Sequence, residues 1–117
     1  LALVAFVLFT VAGYAQNAKP VFFEALYDIP VMPGLEELKD QAMLFDKPGG
    51  RIASVTAASR SLTGAQIVQF YEEALPQLGW KKSKQNQYVR GSDRLVMDVT
   101  KTPPLTVVHF TLSPDRP

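Results

Sequence analysis

The chain reads as an α+β domain: an N-terminal β-hairpin, then one main amphipathic helix packed on a C-terminal antiparallel β-meander. Three observations lead there. Two apolar, partly β-branched runs flank the turn KPGG at Lys47 to Gly50, and apolar residues recur at three- and four-residue spacing from Ile67 to Leu78. From Trp80 onward the apolar period falls to two, with turn signals at RGSD and KTPP between the runs.

The hairpin is expected within MLFDKPGGRIASVTAAS. Pro48 fixes φ, and Gly49 and Gly50 tolerate the positive φ that a tight turn needs. On the second arm Ile52, Ser54 and Thr56 alternate with Ala53, Val55 and Ala57, leaving one small apolar face against which a helix can lie closely. Ahead of it, PVFFEALYDIP allows a short strand, and Pro30 and Pro33 rule out a helix interior or a central strand. GLEELKDQAM predicts an opening helical turn, with Leu35 and Leu38 three apart and Glu36 and Glu37 outward.

The helix has Ser61 or Thr63 as its cap, and Ile67, Phe70, Tyr71, Ala74, Leu75 and Leu78 as its apolar stripe. Gly79 is placed to end it. Pro76 removes the bond back to Glu72, so the last turn should kink or tighten toward 3₁₀ geometry. Beyond it, WKKS and QYVR flank KQN as short strands. RLVMDVTK puts Leu95, Met97 and Val99 on one face, and LTVVHFTL does the same with Thr106, Val108, Phe110 and Leu112.

The first residues carry a different message. LALVAFVLFTVAGYA is uncharged, ends in the small pair Gly13 and Ala15, and matches the apolar region and cleavage site of a secretory signal peptide, with residues 1–15 removed and 16–117 forming a single domain. A basic segment ahead of Leu1 would complete such a signal. The expected location is periplasmic or secreted; the alternative is a membrane anchor at residues 1–15, although the run is shorter than the ~20 residues of a spanning helix. The chain has no Cys. That excludes lipoprotein processing and thiol chemistry, and leaves burial alone to hold the fold.

The formal charge of +1 argues against a nucleic-acid partner, but it is unevenly spread. Between Trp80 and Lys101, six basic residues stand against two acidic ones; Lys81, Lys82, Lys84, Arg90 and Arg94 are the candidate partner-binding residues, able to face an envelope protein or an anionic lipid or glycan surface if they share one sheet face. The ordinary reading is that such residues solvate an open sheet and discourage edge pairing.

Catalytic signatures are missing from the sequence. His109 is the only histidine, no HExxH, Gly-x-Ser-x-Gly or Ser-x-x-Lys pattern is present, and the carboxylates do not form a calcium loop. DKPGGR lacks the strand-to-helix context of a phosphate loop. Neither a cofactor nor a metal is expected. FYEEALPQLGW holds a Tyr, two carboxylates and the only Trp, yet neighbouring helical residues point about 100° apart, so Glu72 and Glu73 cannot converge as a catalytic pair. Trp80 is expected to pack the first meander strand against the helix end, with burial worth about 2 to 3 kcal/mol. The competing reading opens a small-ligand or enzymatic cleft at Tyr71, Pro76 and Trp80.

Together GGRIASV, VQFYEEALPQLGW, the Arg before GSDRLVMDV, and TVVHFTLSP resemble small exported domains of unknown function from Gram-negative bacteria, alphaproteobacteria above all, in which an FYxxxLxxxGW helix leads into an antiparallel sheet. The resemblance runs from Asp28 to Pro114. It implies an α+β periplasmic domain and brings no catalytic residues with it. The expectation is therefore a non-enzymatic envelope accessory or interaction module using a basic sheet face, or else a domain that self-associates through an exposed strand such as Leu105 to Leu112.

Overall fold

The structure is a computed structural model that describes residues 20–115. Residues 1–15, read from the sequence as a signal peptide, lie outside the described residues. Among the described residues nine strands and one α-helix follow in chain order: β1 (Val21–Phe22), β2 (Pro30–Val31), β3 (Glu36–Glu37), β4 (Met43–Lys47), β5 (Gly50–Ser59), α1 (Gly64–Gln77), β6 (Lys81–Lys84), β7 (Gln87–Arg90), β8 (Asp93–Thr102) and β9 (Leu105–Pro114). This is the α+β architecture, with a sheet that is antiparallel throughout.

The main sheet runs β3-β5-β9-β8-β7-β6, and β4 also pairs with β5. The ten-residue β5 is edged by two short strands: β4 lies against Gly50–Ser54, and β3 against Ala57 and Ala58. Between them Leu38 N–H donates to the Thr56 carbonyl. The expected helical turn at Leu35–Leu38 is corrected here. Glu36 and Glu37 are extended because β5 outruns β4 and leaves backbone groups for them to pair with, and a 3₁₀ turn follows only at Lys39–Gln41.

Strand register assigns the two faces. Ala53, Val55 and Ala57 stand opposite Leu112, Phe110 and Val108, which in turn oppose Leu95, Met97 and Val99. This is the face that α1 covers, through Ile67, Tyr71 and Leu75, each buried and four residues from the next. The small residues on β5 let the helix approach, as the alternation predicts. Thr63 caps the helix: its Oγ1 accepts the Gln66 N–H at 3.1 Å, while Gln66 Oε1 accepts the Thr63 N–H at 2.9 Å.

The helix runs through Pro76 to Gln77 and closes at Gly79. Gly79 N–H donates to the Pro76 carbonyl and Trp80 N–H to the Leu75 carbonyl, a Schellman closure with Gly79 at φ +93°. The chain then enters the meander β6-β7-β8-β9 with Trp80 fully buried. β9 is a central strand, held between β5 and β8. Self-association through Leu105 to Leu112 is thereby ruled out, since both of its edges are already paired.

The segment from Pro20 to Met32 completes the core. The Phe23 ring meets Phe110 edge-on, with centroids 5.7 Å apart, and Leu26 and Ile29 are buried beside it. Irregular apolar spacing in this stretch hid that role from the sequence, because a loop buries residues one at a time and not at a fixed period.

Candidate functional site

The structure divides the five basic residues between both faces of the sheet. Lys82 pairs in register with Tyr88 and Arg90 with Asp93, which puts both on the helix side; Lys81, opposite Val89, together with Arg94 and Lys84 lies on the far face. Three of the five are engaged within the chain. Lys82 Nζ meets Glu72 of α1 at 2.8 Å, and that hydrogen bond raises its pKa, with burial opposing. Arg94 meets Asp115 at 2.9 Å. Arg90 is held three ways: its guanidinium lies 4.3 Å from the Trp80 ring centroid, bonds the Leu78 carbonyl, and pairs with Asp28. The single basic face is corrected to a far-face trio, because the two-residue period sends Lys82 and Arg90 toward the helix while the irregularity at Ser83 turns Lys84 to the far face.

The cleft expected at Tyr71, Pro76 and Trp80 is closed. Tyr71 and Trp80 are both buried, and the Tyr71 ring packs between Phe70 and Phe110. Its hydroxyl donates to the Pro30 carbonyl at 2.7 Å and accepts the Met32 N–H at 3.1 Å, so it fastens the β2 segment to the helix. Burial drives its pKa well above the ordinary phenol value, with the Met32 N–H partly offsetting the rise. The Schellman closure accommodates Pro76 without opening the last turn.

His109 occupies the far face between β5 and β8, opposite Thr56 and Asp98 in register. Its Nδ1 lies 2.8 Å from Thr56 Oγ1. Thr56 is buried, so the contact orients the imidazole within its sheet face. Among the described residues no group of three or more His, Asp or Glu stands close enough to hold a metal ion. A cavity of about 440 Å³ opens at the start of α1, between Arg60–Gly64 and the β8–β9 turn, with Lys101 and Thr106 in its wall. The capping box already engages the Thr63 and Gln66 amides beside it.

The most unusual surface is one the sequence did not single out. All five residues of β4 are exposed, including Met43 at 51%, Leu44 at 53% and Phe45 at 57%. β4 pairs only with β5 among the described residues, so its other side presents unpaired backbone groups. Met43 and Phe45 point to the far face and Leu44 to the helix face, which makes the strand apolar on both sides. Three consecutive apolar residues in a strand beside a one-sided sheet were the signal available in the sequence: a single covered face cannot bury both sides of such a strand. Among the described residues no helix is long and apolar enough to cross a membrane. Comparison with family models, curated proteins and solved structures found no match.

Proposed function

We propose that this chain is an exported, non-enzymatic accessory domain that works by protein contact, and that the apolar edge strand β4 is its contact surface. The observation that carries the reading is the trio Met43, Leu44 and Phe45, each more than half exposed on an edge whose backbone is unpaired. Such an edge offers main-chain hydrogen bonds for affinity and alternating side chains for selectivity, the two elements of recognition by strand addition. Large apolar side chains gathered on one surface mark contact sites. The basic residues play a secondary part in this reading. Lys81 and Lys84 form no ion pair among the described residues and guard the opposite edge, whereas Lys82, Arg90 and Arg94 serve the fold.

Photo-crosslinking in the cell tests it. A benzophenone amino acid replaces Phe45, with Lys84 and Gln69 as comparison sites on the far edge and on the exposed side of α1. A discrete protein adduct from position 45 and none from 69 is expected. Adducts from 84 with none from 45 would move the contact surface to the basic residues and end the edge reading.

A further inference from the structure

We infer that the occupant of the β4 edge is a second copy of this chain, paired antiparallel about Leu44 in a two-fold dimer. The inference rests on the strand-addition reading above and names its partner.

An edge strand that meets its own copy across a two-fold axis must be self-complementary, because every contact is made twice. Antiparallel pairing brings side chains on the same face opposite one another. Centred on Leu44, the register sets Leu44 against Leu44 of the second copy on the helix side, and Met43 against Phe45 twice on the far side. All six exposed apolar side chains of the two strands are then engaged in cross-strand pairs, and both helices fall on the same face of one continuous sheet.

Charge agrees with this arrangement. Asp46 and Lys47 close one end of β4, while Lys39 and Asp40 precede the other, and all four are exposed. Antiparallel pairing about Leu44 places Asp46 of one copy opposite Ala42 of the other and carries Lys47 toward the 3₁₀ turn Lys39–Gln41, which holds Lys39 and Asp40, so each end of the interface carries both signs. A parallel pairing would stack Lys47 on Lys47 and Asp46 on Asp46, which is unfavourable. The other sheet edge cannot play this part. β6 is Lys-Lys-Ser-Lys with an irregular register, and copies meeting there would oppose lysine to lysine.

The absence of Cys from the chain gives a direct test. Antiparallel partners lie about 4.5 to 5.5 Å apart at Cα, within the range a disulfide spans. Leu44→Cys, Asp46→Cys and Lys84→Cys are made singly in the full chain and oxidised under identical conditions. A disulfide dimer as the main product from Leu44→Cys, with Asp46→Cys and Lys84→Cys remaining monomers, is the expected result. Equal dimer from Lys84→Cys means random collision and overturns the proposal; dimer from Asp46→Cys and not Leu44→Cys overturns the register. Sedimentation of the Cys-free chain provides the second measurement: a concentration-dependent shift from monomer to dimer is expected, and Leu44→Lys should abolish it. A chain that stays monomeric overturns the second-copy inference. If position 45 nonetheless captures a different protein in the cell, the contact-surface reading survives without it.

Discussion

The two edges of the main sheet are opposites. β6 is short and irregular, carries three lysines, and is tied down by its own chain: Lys82 reaches Glu72 on the helix, and the residue before the strand, Trp80, is buried under the Arg90 guanidinium. β4 is regular and apolar, and no side-chain hydrogen bond or ion pair from it to the rest of the chain exists among the described residues. A sheet edge is a template for further pairing unless something blunts it. One edge here is blunted with charge and irregularity, and the other is left open with three large apolar side chains on display. The difference shows that this fold protects the β6 edge and leaves the β4 stretch of the other side open, the rest of that side being the short, charged β3.

The largest effect is expected where the guarded side is clamped. Arg90→Ala removes the partner of Asp28, whose Oδ1 is already buried without a hydrogen bond, and strips the cation from Trp80. Unfolding free energy should fall by about 2 to 3 kcal/mol in a urea titration, less than for a fully buried pair because both side chains are about a third exposed. Arg90→Lys should recover only part of it, since an ammonium cannot stack and fork as a guanidinium does.

Tyr71→Phe comes next. It leaves the Pro30 carbonyl and the Met32 N–H without their partner, and about 1 to 2 kcal/mol is expected on the same titration. The same hydroxyl sets an alkaline limit. Its pKa is raised in the folded state, so the unfolded chain releases the proton first; the associated stability is complete below the unfolded value near ~10 and declines as pH rises above it. Tyrosinate absorbance should therefore fall short of the full tyrosine count until the chain unfolds; burial raises Tyr88 as well, so Tyr71→Phe should reduce that shortfall and leave the part due to Tyr88.

On the open side the hairpin is the sensitive point. Gly50 has φ +138°, and a Cβ there would lie 2.8 Å from Pro114 Cγ, so Gly50→Ala should cost about 1 to 2 kcal/mol and loosen β4 from β5. The smallest effect on stability belongs to Leu44→Lys, within about 0.5 kcal/mol in the monomer, because the side chain is half in solvent already. A large loss there would mean that β4 serves the fold and not a partner.

Periodic elements were legible in the sequence. The stripe of α1, the alternation of β5, β8 and β9, and the turn at Pro48–Gly49 all follow from one residue's relation to its near neighbours, which the sequence displays directly. What the sequence withheld depends on strand order. Lys82 and Arg90 looked like members of one basic row until register assigned them to the helix side, and Leu105 to Leu112 looked like a free strand until β5 and β8 closed on it. Tyr71 and Trp80 have the residue types of a ligand site, but their surroundings come from residues forty positions away, at Pro30 and Met32, and from Arg90. The exposure of Met43, Leu44 and Phe45 was hidden for the same reason, since an apolar trio reads as core until the sheet is seen to end beside it.

Amide hydrogen exchange across β4 and β6, followed over a range of protein concentration, tests the contrast between the two edges most directly. Protection of β4 should rise with concentration while that of β6 stays unchanged, because only the apolar edge acquires a pairing strand. Protection that is independent of concentration at both edges, or that rises at β6, would contradict the account.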